Sequence, residues 1–213
     1  HRDIVKLLLE RVKENDEIRL DIGDTEGNTA LMVATKGHHQ EVIRILKKHG
    51  ANPNVYNKEK LFPINVAIRD KNTRTTKTLL ESSKNTKHLD LNVYNNNGET
   101  PVIQALALKQ YEIIDLLAEN NADIDKGGVQ DINPLMIAVT NNDKKSVDYL
   151  LSKGANINHF TNSNLSPLII ALNNENQDMA MHLLIKNADP NVHAKGLSSP
   201  LQTAVDRDNA DPV

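Results

Sequence analysis

Eight histidines are the residues of this 213-residue sequence that first invite a chemical reading, as metal ligands or as general acids and bases. Their placement suits neither role. His38 and His39 are adjacent, so on a helix or turn they point to different sides and cannot readily hold one ion. His49, His88, His159, His182 and His193 fall singly, in or near loops or on a helix. The pair Asp16 and Glu17 lies in a charge-rich stretch where carboxylates are ordinarily solvated. There is no P-loop, no G-x-S-x-G and no H-E-x-x-H. With no cysteine, neither a disulfide nor a thiolate zinc site can form. The lysine pairs Lys47–Lys48 and Lys144–Lys145 are interleaved with acids, and no aromatic series accompanies them to stack bases. The expectation is a non-enzymatic chain with no catalytic residue, metal or cofactor, no small-molecule substrate and no nucleic acid. A net charge of −3 and the lack of any apolar run of roughly 18 residues argue the same way for nucleic acid and for membrane insertion.

If no constellation carries chemistry, the elements that could present a surface become the question. Aromatic residues make up only 3 % of the chain, with no Trp, so a core built from Leu, Ile, Val and Ala is expected. Such thin cores belong to stacked repeats, and self-similarity is plain. Six segments read alike: NTALMVATK from Asn28, LFPINVAIR from Leu61, ETPVIQALA from Glu99, INPLMIAVT from Ile132, LSPLIIALN from Leu165 and SSPLQTAVD from Ser198. Their registered residues Ala30, Pro63, Pro101, Pro134, Pro167 and Pro200 are 33, 38, 33, 33 and 33 residues apart.

Each position in the unit has a physical reason. Thr29, Thr100, Asn133, Ser166 and Ser199 supply an N-cap oxygen, and proline follows at the first helical position in five of six units. Phe62 is the cap position without an oxygen, so its helix is expected to begin less firmly. Ala34, Ala67, Ala105, Ala138, Ala171 and Ala204 let neighbouring helices approach. A second helix follows, with apolar residues three and four apart: Val42, Ile43, Ile45 and Leu46; Ile113, Ile114, Leu116 and Leu117; Val147, Leu150 and Leu151; Met179, Leu183 and Leu184. Gly50, Asn121, Gly154 and Asn187 then stand where a left-handed cap closes it. Many of the 27 asparagines fall at such turn positions. Asn54, Asn92, Asp125, Asn158 and Asn191 lie nine residues before the next registered Pro and are expected to brace the loop.

These residues resemble an ankyrin repeat, a 33-residue β-turn and two helices. GANPN from Gly50, NADID from Asn121, GANIN from Gly154 and NADPN from Asn187 are similar to the family's GADVN-like loop, and HRDIVKLLLE resembles the second helix of a repeat. The resemblance implies an all-α ankyrin-repeat solenoid of about a dozen short helices in stacked antiparallel pairs, with projecting β-hairpin-like loops. One domain over 1–213 is expected: a partial repeat at 1–23, repeats at 24–56, 57–94, 95–127, 128–160 and 161–193, and a partial repeat at 194–213. Insertions of about five residues fall at 11–20 and 82–91. The family's fourth motif residue is His, whereas Met32, Asn65, Ile103, Met136, Ile169 and Gln202 stand here, so that histidine's hydrogen bonds are not expected. The hairpin glycine persists as Gly27 and Gly98 but is replaced by Lys60, Asp131, Asn164 and Leu197, whose tips should differ in shape. Because the chain opens at His1 with a half repeat, it is expected to be part of a longer protein; either flanking sequence caps the terminal repeats or the ends fray.

The resemblance also implies the function: a scaffold that binds another protein or an extended peptide on its concave face, formed by the tips and the exposed side of the first helices. Candidate partner-binding residues are Leu61, Arg69, Asp70, Asn97, Glu99, Ile132, Asn141, Leu165, Asn174 and Arg207. Leu61, Ile132 and Leu165 recur at one tip position, where they either pack hairpin to hairpin or form an apolar row for a partner to bury. Lys47 and Lys48 are expected on the outer second helices, away from that face, where their replacement by Ala should do little to partner binding. A second reading is a targeting or regulatory module of a larger enzyme or of a host-directed bacterial effector. Loop asparagines such as Asn54, Asn158 and Asn191 could also, by the same resemblance, be hydroxylation substrates. The expected setting is cytoplasmic, or the host cytosol for an effector.

Overall fold

The computed structural model describes residues 2–12, 20–81, 87–191 and 198–208. The insertion expected at 11–20, the first half of that at 82–91, and the residues Asp16, Glu17, His193 and Leu197 therefore lie largely or wholly outside the described residues. Twelve α-helices and no strand occur among the described residues. They divide between two compact units, His1–Asp123 and Ile124–Val213.

The first unit holds α1 (Arg2–Val12), α2 (Ala30–Lys36), α3 (Gln40–Lys48), α4 (Pro63–Arg69), α5 (Thr73–Leu80), α6 (Pro101–Ala107) and α7 (Tyr111–Glu119). Each registered motif forms a seven-residue inner helix, α2, α4 or α6, which packs on its own longer partner and on the next inner helix; α1, α3, α5 and α7 form the outer row. The second unit repeats the arrangement with α8 (Pro134–Thr140), α9 (Lys144–Ser152), α10 (Pro167–Asn173), α11 (Gln177–Ile185) and α12 (Pro200–Asp208), where α8, α10 and α12 are consecutive inner helices.

The caps read from the sequence form. Thr29 and Thr100 accept the N–H three residues on at 3.3 Å, Asn133 at 2.9 Å, and Ser166 and Ser199 at 3.2 Å. Each such cap contributes about 1 kcal/mol. Phe62 differs from expectation: Asn65 Oδ1 accepts the Phe62 N–H at 3.2 Å, and the Phe62 ring meets Tyr56 edge-on with centroids 5.5 Å apart. Its helix start is held by a side chain reaching back and by aromatic packing.

Ala34, Ala67, Ala105, Ala138 and Ala171 are buried, as are Ile43, Leu46, Ile113, Ile114, Leu117, Val147, Leu150, Met179 and Leu183 on the outer helices. Leu184 is exposed and does not belong to the buried ridge. At the family's histidine position Met32, Ile103, Met136 and Ile169 fill the core. Asn65 instead donates from Nδ2 to Gln104 Oε1 at 2.9 Å, while Gln104 Nε2 returns a bond to the Asn65 carbonyl. Gly50, Asn121, Gly154 and Asn187 all have left-handed backbone, with φ of 89°, 68°, 88° and 67°.

The bracing expected of Asn54, Asn92, Asp125 and Asn158 is present as a ladder from one repeat to the next, which Asp21 begins. Asp21 accepts the Asn52 N–H at 2.7 Å, Asn54 accepts from Asp90 at 2.8 Å, and Asn92 from Asp123 at 3.0 Å. Within the second unit Asp125 accepts from Asn156 at 3.0 Å and Asn158 from Asp189 at 2.8 Å.

Lys47, on the outer helix α3, has a structural role that its sequence position does not announce. It is 4 % exposed, and its Nζ donates to the carbonyls of Thr78 (3.1 Å), Leu79 and Glu81 (2.6 Å) at the end of α5. Those carbonyls would otherwise be orphaned at a helix terminus. Burial pulls the Lys47 ammonium down to about 8. Lys48, by contrast, is exposed.

Candidate functional site

The candidate surface is made of five-residue tips that precede the inner helices. In every described tip the first residue's N–H donates to the fifth residue's carbonyl, and the fourth residue's N–H donates to the first residue's carbonyl. The first of these bonds measures 3.0 Å at Asp24–Asn28, 3.1 Å at Asn57–Leu61 and Asn95–Glu99, and 2.9 Å at Gly128–Ile132 and Thr161–Leu165. The fourth residue is left-handed throughout: Gly27 (φ 78°), Lys60 (53°), Gly98 (72°), Asp131 (61°) and Asn164 (59°). Replacing glycine therefore does not change the turn at Lys60 or Asn164, contrary to expectation. The paired backbone bonds hold those residues in a conformation that disfavours their Cβ by about 1–2 kcal/mol.

What fixes each tip is the side chain of its first residue, a signal the sequence reading passed over. Asp24 Oδ1 accepts the N–H groups of Glu26 (2.9 Å) and Asn28 (2.8 Å). Asn57 Oδ1 accepts from Glu59 and Leu61, and Asn95 Oδ1 from Asn97 and Glu99. Thr161 Oγ1 accepts from Leu165 at 3.2 Å. The backbone and side-chain bonds from Asn28 hold the Asp24 carboxyl below its usual range. Gly128 has no side chain to offer. Alone among the described tips, this one folds into a 3-10 turn at Val129–Asp131 with a second left-handed residue, Gln130 (φ 57°), and Val129 stands 62 % exposed. A glycine where the other tips carry Asp, Asn or Thr was the signal for this change.

The sequence-predicted residues divide as follows. Leu61 is 6 % exposed and packs with Met32 of α2 and Val66 of α4, so it belongs to the core of the inner helices and is not an exposed anchor. Ile132 and Leu165 are half-buried at equivalent positions of consecutive tips in the second unit. Asn141 and Asn174 are exposed at the ends of α8 and α10, beyond the same two tips. In the first unit Arg69 and Asp70 are exposed at the end of α4, where the Arg69 guanidinium lies 3.9 Å from both Glu59 and Asp70 carboxylates. Asn97 is exposed; Glu99 accepts from Asn95 Nδ2 at 2.8 Å and so serves its own tip. Arg207 lies on α12, with its side chain outside the described set.

Tips also join one another within a unit. Lys58 N–H donates to the Glu26 carbonyl at 3.0 Å, and Asn57 Nδ2 to Asn28 Oδ1 at 3.0 Å. The histidines serve local contacts: His182 Nε2 lies 3.0 Å from Asp148 Oδ1, and His159 Nε2 3.6 Å from Asp131 Oδ2. Lys186, bonded to Asp148 at 2.8 Å, is the main cause holding that carboxyl below its usual range.

A family model for ankyrin repeats in three copies matches residues 1–57, 49–128 and 125–194. The chain belongs to the ankyrin-repeat family. It is similar to human transient receptor potential cation channel subfamily A member 1 (30 % identity over 54 % of this chain and 10 % of the channel). Protein glp-1 of Caenorhabditis elegans is 31 % identical over 49 % of this chain and 8 % of its own length. Ankyrin repeat protein FPV031 of fowlpox virus is 34 % identical over 55 % of this chain and 35 % of its own length. The match therefore spans only a small part of each of these relatives. The crystal structure of the ankyrin repeat domain of Bcl-3 superposes with a TM-score of 0.80 at 27 % identity, covering 96 % of this chain and 89 % of that one. Ankyrin repeats are a protein–protein interaction fold, and no helix among the described residues is long and apolar enough to cross a membrane.

Proposed function

We propose that this ankyrin array is a non-catalytic scaffold that binds a protein or an extended peptide across consecutive tips, with the contact centred on Ile132 and Leu165 in the second unit. The observation that supports this most is the arrangement at those tips. Val129 stands exposed, Ile132 and Leu165 are half-buried, and the amides Asn141 and Asn174 follow at the helix ends. A small apolar strip rimmed by amides is what a partner can bury without stranding charge. The tips are pre-set by paired backbone bonds, so little ordering cost is incurred on binding. A cytoplasmic setting, or the host cytosol for an effector, is the one we propose.

Peptides selected by the protein from a displayed random library provide the probe. Ile132→Asp with Leu165→Asp should weaken their binding at least tenfold while leaving the helical circular dichroism unchanged. Lys48→Ala, on the exposed side of α3, should leave it within twofold. A larger effect from Lys48→Ala than from the tip pair would move the contact to the outer helices and refute this reading.

A further inference from the structure

Between the fifth tip and α12, within the second unit, lies a groove of about 510 Å³ whose wall includes Asn164, Leu165, Ile169, Asn173, Thr203 and Asp206. Its floor is apolar: Ile169 is buried and Leu165 half-buried. Its rim is polar and short of cations. Asn164 Nδ2 reaches the Ser198 carbonyl at 3.4 Å, and Thr203 Oγ1 donates to the Ser199 carbonyl at 3.0 Å, which leaves the hydroxyl lone pairs as acceptors. Asn173 is exposed. The Asp206 carboxylate is exposed and makes no hydrogen bond or ion pair among the described residues.

Among the described side chains on this face the charges have one sign: the segments 129–132, 140–142, 162–165, 173–175 and 198–206 contain the carboxylates Asp131, Glu175 and Asp206 and no lysine or arginine, and the side chain of Arg207, next on α12, lies outside the described residues. A groove with an apolar floor and a carboxylate at its mouth complements a side chain with an aliphatic stem and a cationic head. In water an exposed ion pair contributes little. Laid along Leu165 and Ile169, however, the stem would shield the head from solvent and strengthen its attraction to Asp206. Amide and hydroxyl acceptors on the rim can take the remaining N–H donors of the head.

We infer that this groove receives a lysine or arginine side chain of the bound partner segment, next to an aliphatic residue seated on Ile132 and Leu165. The inference rests on the tip-face reading above and adds a charge preference to it.

The test uses the 213-residue protein and its selected peptides. Wild-type selections should share a Lys or Arg within a few residues of an aliphatic residue. In the best synthetic peptide, replacing that cation by norleucine should weaken Kd three- to tenfold. Asp206→Asn should weaken it similarly, and the two changes together should cost no more than either alone. Fully additive losses, or selected peptides that require Ile132 and Leu165 but carry no enriched cation, would overturn the groove assignment and leave the tip-face reading standing. Peptides that bind equally well to the Ile132→Asp, Leu165→Asp protein, or a library that yields none, would overturn both.

Discussion

Replacing Lys47 by methionine keeps the aliphatic stem and removes the ammonium that closes α5. Three carbonyls, those of Thr78, Leu79 and Glu81, then lose their donor in a position that is 4 % exposed in the parent side chain. Bonds from a charged group to such acceptors contribute about 1.5–3 kcal/mol each. Against this stands the cost of holding the ammonium out of water. A fall in pKa from 10.5 to about 8 corresponds to roughly 3.4 kcal/mol. The difference is a net loss of about 1–6 kcal/mol for Lys47→Met, read from urea melts followed by circular dichroism, with Lys48→Ala within about 0.5 kcal/mol of the parent. The pH dependence has a definite sign. Below about 8 the lysine is protonated folded and unfolded, and the burial cost is fully present. Between about 8 and 10.5 the unfolded chain holds more protons than the folded one, so parent stability rises with pH relative to Lys47→Met. A methionine variant that melts with the parent would show that Lys47 does not close α5. A difference that stays flat from pH 7 to 10.5 would show that the three carbonyls hold the ammonium at its ordinary pKa.

The other predictions concern packing, turns and the tip face. Leu117→Ala empties a fully buried position on α7 and should lower stability by roughly 2–5 kcal/mol in the same melts; an unchanged curve would mean the ridge is misplaced. Asn187, at φ 67°, should tolerate glycine with no loss, whereas valine should cost roughly 1–2 kcal/mol; equal stabilities would remove the left-handed cap. Lys60→Gly should stabilise by about 1 kcal/mol by relieving left-handed backbone in a side-chain-bearing residue, and a loss would mean that the Lys60 side chain matters more than its φ. Gly128→Asn should restore the acceptor present at Asn57 and Asn95 and turn Val129 inward, which amide exchange across 128–132 can follow; exchange as fast as the parent's would refute the account of this tip.

The repeat frame was legible because its determinants are one-residue rules: a cap oxygen, a proline at the first helical turn, an alanine at the close approach, a Gly or Asn at the left-handed end. Each acts through backbone geometry, so spacing alone locates it. The ladder of Asn and Asp side chains was legible for the same reason. The outer helix α5 was harder to see, because buried Thr75, Thr76 and Thr78 stand where other repeats carry apolar residues. Thr76 and Thr78 turn their hydroxyls back to the carbonyls of Asn72 and Arg74, which hides polar atoms from a hydropathy pattern. The burial of Lys47 was not legible because a buried lysine has no sequence signature apart from the missing cap it replaces, and that gap lies in the next repeat.

The tips show why the candidate site was less legible than the fold. Where the first residue is Asp, Asn or Thr, the shape is enforced twice, by the paired backbone bonds and by that residue's acceptor, so the fourth residue can be Gly, Lys or Asn without changing the turn. A turn over-determined in this way frees its remaining side chains to vary with the partner, and a position free to vary carries no pattern that spacing could reveal. The same redundancy explains the exception. At Gly128 one of the two constraints is missing, the backbone bonds alone permit a 3-10 turn, and an apolar side chain moves out to 62 % exposure beside Ile132. The place where the repeat's own rule lapses is thus where the second unit presents the most exposed apolar group among its described tips. That coincidence is a physical reason to seek the partner at this tip before any other.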